Sequence, residues 1–305
     1  MEISFDTTDG VRLGGHIFAP EAPDAAVLLV PAMGVPQRFY HPLAEWLSGR
    51  GVAAMTFDFR GMGASRTAPL GQVRADIVTW AKYDAAAALE VLAHRVPGRP
   101  ITWVGHSLGG QIVPFVPNRA RVAKIVTIAT GSGYWRENAA PLRRKVWVFW
   151  WGAVPIVTPL FGYFPGRRLG MVGDLPVGVV RQWRRWCMDP DYAVGAEGPE
   201  VRSLFLDVRT PLTSLSFTDD EMMSERNIAS IHSFYANAPR TTHRLSPASL
   251  GVDKVGHFGF FRPGMEYPLW RAHLEPELIR GSASLTFSHA LGAIDSRTRG
   301  DTPPS

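Results

Sequence analysis

Ile101-Thr102-Trp103-Val104-Gly105-His106-Ser107-Leu108-Gly109-Gly110 is the stretch whose reading decides the fold. An apolar run, Ile101 to Val104, leads directly into a Gly-x-Ser-x-Gly element, and helical patterning follows. The five-residue pattern is weak by itself. With 30 glycines in 305 residues, it arises by chance roughly 0.2 times in a chain of this length. Its context raises its weight, because a serine on a tight strand-to-helix turn is presented at the edge of a sheet. The glycines have a physical reason. Such a turn brings neighbouring backbones together and strains the serine, so the side chains beside it must be minimal. Taken alone, these residues also fit a plain Gly-rich connecting loop.

Working outward, the chain alternates strands with helices. Ile3 to Thr7 and Val11 to Phe18 alternate like half-exposed strands and are joined by the Asp9-Gly10 turn signal. Ala25 to Val30 is a continuous apolar run, as expected of a strand buried on both faces of a parallel sheet, and Val52 to Phe57 reads as another buried strand. Helical patterning lies at 42–50 and 73–94. Further strands are expected at 124–129, 211–217 and 242–245, and further helices at 225–237 and 267–279. Pro114 should shorten or kink the helix after the serine. The pattern predicts an α/β chain: a mostly parallel central sheet with helices on both faces.

Between 132 and 204 the composition changes. Six of the ten tryptophans lie here, with ten Lys/Arg against six Asp/Glu, so this segment carries nearly all of the net charge of +5. It reads as an inserted helical lid. The expected organisation is therefore a core of 1–131 and 205–280, a lid of 132–204 and a disordered tail of 281–305.

Composition narrows the function. The basic balance suggests nucleic acid first, but there is no long Lys/Arg run and no nucleic-acid motif, so none is expected as a partner. A single cysteine, Cys187, excludes an intrachain disulfide or a Cys-based zinc cluster, and it reads as a small buried apolar residue. The histidines show no ligand spacing, so neither metal nor cofactor is expected. The N-terminus lacks a basic segment followed by an apolar one, which predicts a cytoplasmic location. From Val146 to Phe164 no residue is charged, but Gly152, Pro155, Pro159 and Gly162 interrupt the stretch. It reads as buried or interfacial rather than spanning.

Four elements then occur in a telling order. Pro31-Ala32-Met33-Gly34 follows the third strand. Asp58-Phe59-Arg60-Gly61-Met62-Gly63-Ala64-Ser65 follows the fourth. The Gly105 to Gly110 element comes next, and Asp219-Asp220 precede Gly256-His257. In this order, over roughly residues 1–280, the chain resembles the α/β-hydrolase family. The Trp-rich insert and Val255-Gly256-His257-Phe258-Gly259-Phe260-Phe261 are similar to a group of poorly characterised bacterial serine hydrolases, esterase- or lipase-like.

The resemblance implies roles. Ser107 is the nucleophile of a nucleophile elbow and His257 its base, the one histidine of nine that fits the position after the last strand. The acid lies after the strand at 211–217. Asp220 is favoured over Asp219, because Met222-Met223-Ser224 resembles the family's connector to the next helix. The oxyanion hole would be the Leu108 and Met33 backbone N–H groups, although Pro31-Ala32 stands where many relatives have His-Gly. His106 should pack beneath the turn, and Arg60 should tie loops together. Trp135, Trp150, Trp151 and Trp183 are candidates for an acyl pocket under the lid. The implied activity is hydrolysis of a carboxylic ester with an apolar acyl or alcohol group, through a Ser107 acyl-enzyme and with a small-molecule acyl substrate. Amide and thioester hydrolysis share the machinery. A non-catalytic binding protein on the same fold is a second reading. A peripheral membrane lipase, touching the membrane through the basic lid, is a third.

Overall fold

The computed structural model describes residues 1–171 and 173–280; the tail at 281–305, read above as disordered, lies outside them. Eight strands form one sheet: β1 (Glu2–Asp6), β2 (Arg12–Phe18), β3 (Ala25–Val30), β4 (Val52–Phe57), β5 (Ile101–His106), β6 (Val122–Ile128), β7 (Leu212–Phe217) and β8 (Arg240–Leu245). Their spatial order is β1-β2-β4-β3-β5-β6-β7-β8. β1 and β2 form an antiparallel hairpin, and β2 runs antiparallel to β4. All other pairings are parallel.

Every residue of β3, β4 and β5 is buried, because helices cover both faces. Alternate residues of β3 feed two separate cores. Ala26, Leu28 and Val30 join a cluster with Ala88, Leu89 and Leu92 of the helix Ala86–Arg95 (α2). Ala25, Val27 and Leu29 join the opposite cluster with Leu43, Ala44 and Leu47 of the helix His41–Ser48 (α1). Period-two alternation of uniformly apolar residues thus builds both layers at once.

The crossover from β3 leads to β4 on one side, and the crossover from β4 passes back over β3 to β5 on its other side. That reversal opens a crevice at the carboxyl ends of β3 and β5, where open α/β sheets bind their ligands. The elbow and the Pro31–Gly34 loop both sit there.

Two helices differ from expectation, and a third is shortened as Pro114 predicts. The segment expected at 73–94 starts later, where Asp76 caps the first turn by accepting from the Thr79 N–H. It then passes through a π turn at Trp80–Ala85. That turn stacks Trp80 on Phe59 at 4.7 Å and aims Asp84 at Arg60. The helix expected at 267–279 is a π helix at Glu266–Leu274 followed by a 3-10 turn at Glu275–Glu277. After the elbow, the helix Leu108–Gln111 (α3) makes one turn only. Pro114 has no N–H to offer the Gly110 carbonyl, which accepts instead from the Tyr235 hydroxyl at 3.3 Å.

Between β6 and β7 the chain is helical. It contains a π turn at Val148–Ala153, the helix Val154–Phe161 (α4), the helix Val177–Met188 (α5) and three further helices at Ala140–Arg143, Tyr192–Glu197 and Pro199–Leu206. Trp150, Phe164, Val180 and Trp186 from this insertion join the cluster on the α2 side of the sheet. Among the described residues no helix is long and apolar enough to cross a membrane.

The helix Glu225–Ser233 (α6) contributes His232, whose Nδ1 donates to its own helix at Ile228 C=O and whose Nε2 takes the Thr127 hydroxyl of β6. Burial lowers its pKa to about 4. The neutral ring is the folded form, so its contribution is complete above the unfolded value of about 6.5 and is lost as pH falls from there towards 4, by about 3 kcal/mol in full. Urea denaturation at neutral pH and at about pH 4.5 should show a steeper acid loss in the native protein than in His232→Gln. Equal losses would remove His232 from the account.

Candidate active site

Ser107 has φ 49° and ψ −112°, a conformation that costs a non-glycine residue about 1–3 kcal/mol. The local sequence makes it reachable. A Cβ on Gly105 would lie 2.5 Å from the Gly109 backbone, and one on Gly109 would lie 2.2 Å from the Val30 carbonyl oxygen. Only glycine lets the turn close against β3. The helix start then points the Leu108 N–H away from the sheet. The Met33 and Leu108 amides make no hydrogen bond within the described residues, and both residues border the same cavity as Ser107.

β7 ends at Phe217, and after Thr218 the next three residues are acids with three different tasks. Asp220 is buried, and its Oδ2 accepts from His257 Nδ1 at 2.8 Å. Its Oδ1 accepts from the Met222 and Met223 N–H groups at 2.8 and 2.9 Å, which fixes the carboxylate. Asp219 faces backbone instead: its Oδ2 accepts from the Val255 and Gly256 N–H groups at 2.8 and 3.0 Å. Glu221 accepts from the His257 N–H at 3.2 Å. Two acids therefore clamp the loop that the third addresses through its imidazole. The Asp220 contact holds the proton on Nδ1 and leaves Nε2 as the free acceptor. Sequence reasoning missed Glu221; its only signal was adjacency to Asp219-Asp220.

His106 is fully buried, and burial drives its pKa well below the ordinary histidine value, the nearby His257 acting in the same direction. It is thus neutral and links three loops. The Ala32 N–H donates to the Tyr40 oxygen at 2.8 Å, the Tyr40 hydroxyl contacts His106 Nδ1 at 2.9 Å, and His106 Nε2 contacts the His257 carbonyl at 3.0 Å. Since the carbonyl can only accept, Nε2 carries the proton and Tyr40 donates to Nδ1. The chain of bonds runs from the Pro31–Gly34 loop, under the elbow, to the backbone of His257. Nothing in the sequence marked Tyr40.

Ser107 and His257 border one cavity of about 440 Å³, within the size range of small-molecule sites. The two make no hydrogen bond to each other among the described residues. The cavity walls are largely apolar: Leu142, Val146, Phe149, Trp150, Met171 and Trp183 contribute. Trp150 and Trp183 were expected here, but Trp135 and Trp151 are not in the wall. Trp151 follows Trp150 by one residue, so helical rotation turns it outward, where it packs edge-on against Trp135 at 5.3 Å. Cys187 borders the cavity from α5 with a fully buried thiol whose pKa burial raises well above its ordinary value, leaving it unreactive. Among the described residues, Lys145 is the one Lys, Arg, Asp or Glu in the wall, and no carboxylate lines it. No cluster of three or more His, Cys, Asp or Glu among the described residues is placed to hold a metal ion.

Arg60 lies behind the site. Its guanidinium contacts Asp84 at 2.7 Å through Nε and Asp9 at 2.6 and 2.8 Å through Nη1 and Nη2. It therefore ties the loop after β4 to the β1–β2 turn and to the π turn, and it does not line the cavity.

The sequence model of the family described as serine aminopeptidase, S33, matches residues 21–156. A polyketide transferase from Penicillium, grgF, is 30% identical over 90 residues, which are 27% of this chain and 31% of that protein. The chain spans about a third of the length of the curated relatives it matches. Among solved structures, a soluble variant of monoglyceride lipase from Saccharomyces cerevisiae superposes with a TM-score of 0.57 at 15% identity, covering 81% of this chain and 85% of that one. The Pyrococcus furiosus esterase Pf2001 does so with a TM-score of 0.56 at 15% identity, over 90% and 88%. With the strand order, the elbow and these likenesses together, the chain has the α/β-hydrolase fold.

Proposed function

We propose that the protein is a serine hydrolase that cleaves carboxylic esters with an apolar acyl or alcohol group. The observation that carries this reading is the buried Asp220–His257 pair together with a strained Ser107, His257 and Ser107 opening on one apolar cavity. In the proposed reaction His257 Nε2 takes the Ser107 proton as the hydroxyl oxygen attacks the acyl carbon. The Met33 and Leu108 N–H groups receive the resulting oxyanion. Collapse expels the alcohol, which takes the proton from His257, and leaves an acyl group on Ser107. Water repeats the steps, giving up a proton to His257 and releasing the acid. Asp220 holds the imidazole tautomer and offsets the positive charge that forms on it.

The cavity wall favours an ester over a peptide with a free amino terminus. A buried ammonium needs a counter-ion, and the wall contains no Asp or Glu while presenting Lys145. The test is labelling with a fluorophosphonate, followed by mass spectrometry of the adduct and a panel of p-nitrophenyl esters of increasing acyl length. One adduct on the peptide containing Ser107, with turnover of the esters, is expected. An adduct elsewhere, or none, would reject the reading.

A further inference from the structure

The chain from Val146 to Phe161 is one continuous helical run that is apolar on its outward face as well as its inward one. Its outward stripe presents Trp147, Val148, Trp151, Ile156, Leu160 and Phe161, with Leu160 77% and Ile156 68% exposed. No polar side chain interrupts that stripe. Thr158, the only polar residue of the run, points inward, and its hydroxyl finds no partner. A helix on a water-facing surface has a polar outer face, and a contiguous apolar patch of this kind marks an interaction surface. Leu169 and Met171 extend the patch and are also exposed.

Charge identifies the partner. Arg143, Arg144 and Lys145 stand exposed just before the run, and Arg167 and Arg168 just after it. None of the five has an ion-pair partner among the described residues. At about 1.5 Å per residue, the sixteen-residue run is too short to cross a bilayer core of about 30 Å, and its flanking cations suit a helix lying flat. We propose that this face docks on an anionic lipid surface, its apolar stripe sunk between acyl chains and the arginines at the phosphates. The cavity opens beside the face, since Lys145 and Met171 belong to both, so the site's mouth would meet the membrane. The proposal stands apart from the ester reading, because its primary readout is binding.

The test is co-sedimentation of the full chain with phosphatidylcholine vesicles, alone or with about 30 mol % phosphatidylglycerol. Binding at least about tenfold tighter to the anionic vesicles is expected, and it should weaken as salt shortens the screening length. The doubly substituted Ile156→Asp/Leu160→Asp protein should lose about tenfold or more of that binding, and Arg143→Gln/Arg144→Gln should lose the preference for anionic lipid. All these positions are exposed and lie outside the cavity wall, so the thermal melts should stay native. Indifference to both vesicles, or unchanged binding by natively folded variants, would overturn the proposal. So would a dimer in sedimentation velocity that Ile156→Asp/Leu160→Asp dissolves, since a second copy would then be the partner.

Discussion

Ser107→Ala is expected to lower kcat for a p-nitrophenyl ester by on the order of 10⁶-fold, and His257→Ala by a comparable factor, because nucleophile and base act as a unit. Asp220→Asn should cost about 10⁴-fold, since an amide in place of the carboxylate at 2.8 Å from Nδ1 favours the wrong tautomer and leaves the imidazolium unsupported. Asp219→Asn is the informative control. Its partners are the Val255 and Gly256 amides, to which an asparagine oxygen can still accept. The expected loss in kcat is within about tenfold. Steady-state kinetics of the four variants, with the adduct yield of each, check the set. A larger loss at 219 than at 220 would exchange the two roles, and a Ser107→Ala protein with native turnover would end the case for an acyl-enzyme.

The second large effect is on stability. Arg60→Met should destabilise the fold by about 3–5 kcal/mol, because it leaves the fully buried Asp84 without its cation. Even with the guanidinium in place, burial raises the Asp84 pKa to about 6. Without it the folded value must climb further above the unfolded value of about 3.8. A carboxyl group whose folded pKa is raised is tolerated best when protonated, so its penalty is small in acid and grows as pH rises through the folded pKa. Denaturant titrations of Arg60→Met should therefore lie closest to the native protein near about pH 5 and diverge towards about pH 8. Arg60→Met/Asp84→Leu, which removes both charges at once, should recover much of the loss. A pH-independent difference would point to lost packing of the Arg60 stem instead.

Much of the sheet was legible because its signals are local. β3 is an unbroken apolar run and β4 is interrupted only by Thr56, both with the bounds expected of them, and β5 runs straight into a Gly-x-Ser-x-Gly element. Around His257 only the Asp220 partner was legible, through the family resemblance, and the rest of the hydrogen bonds were not. The Asp220 and Glu221 contacts span 37 and 36 residues, and Tyr40 to His106 spans 66. Pairings at such separations leave no periodic trace. The tryptophans show a subtler limit. Composition marked the segment as aromatic, but which of Trp150 and Trp151 faces inward depends on helical phase, and a π turn at Val148–Ala153 shifts that phase. The π turn at Trp80–Ala85 likewise set the facing of Asp84, which no spacing rule anticipates.

The bond from His106 to the His257 carbonyl closes a loop of 151 residues, and it has a consequence for the protein's birth. Contacts so distant along the chain form only after the intervening polypeptide has been made and folded. A ribosome-bound chain that has already exposed its elbow would still lack Asp220 and His257, and on the proposed reading would stay chemically silent until residues 220–257 emerged.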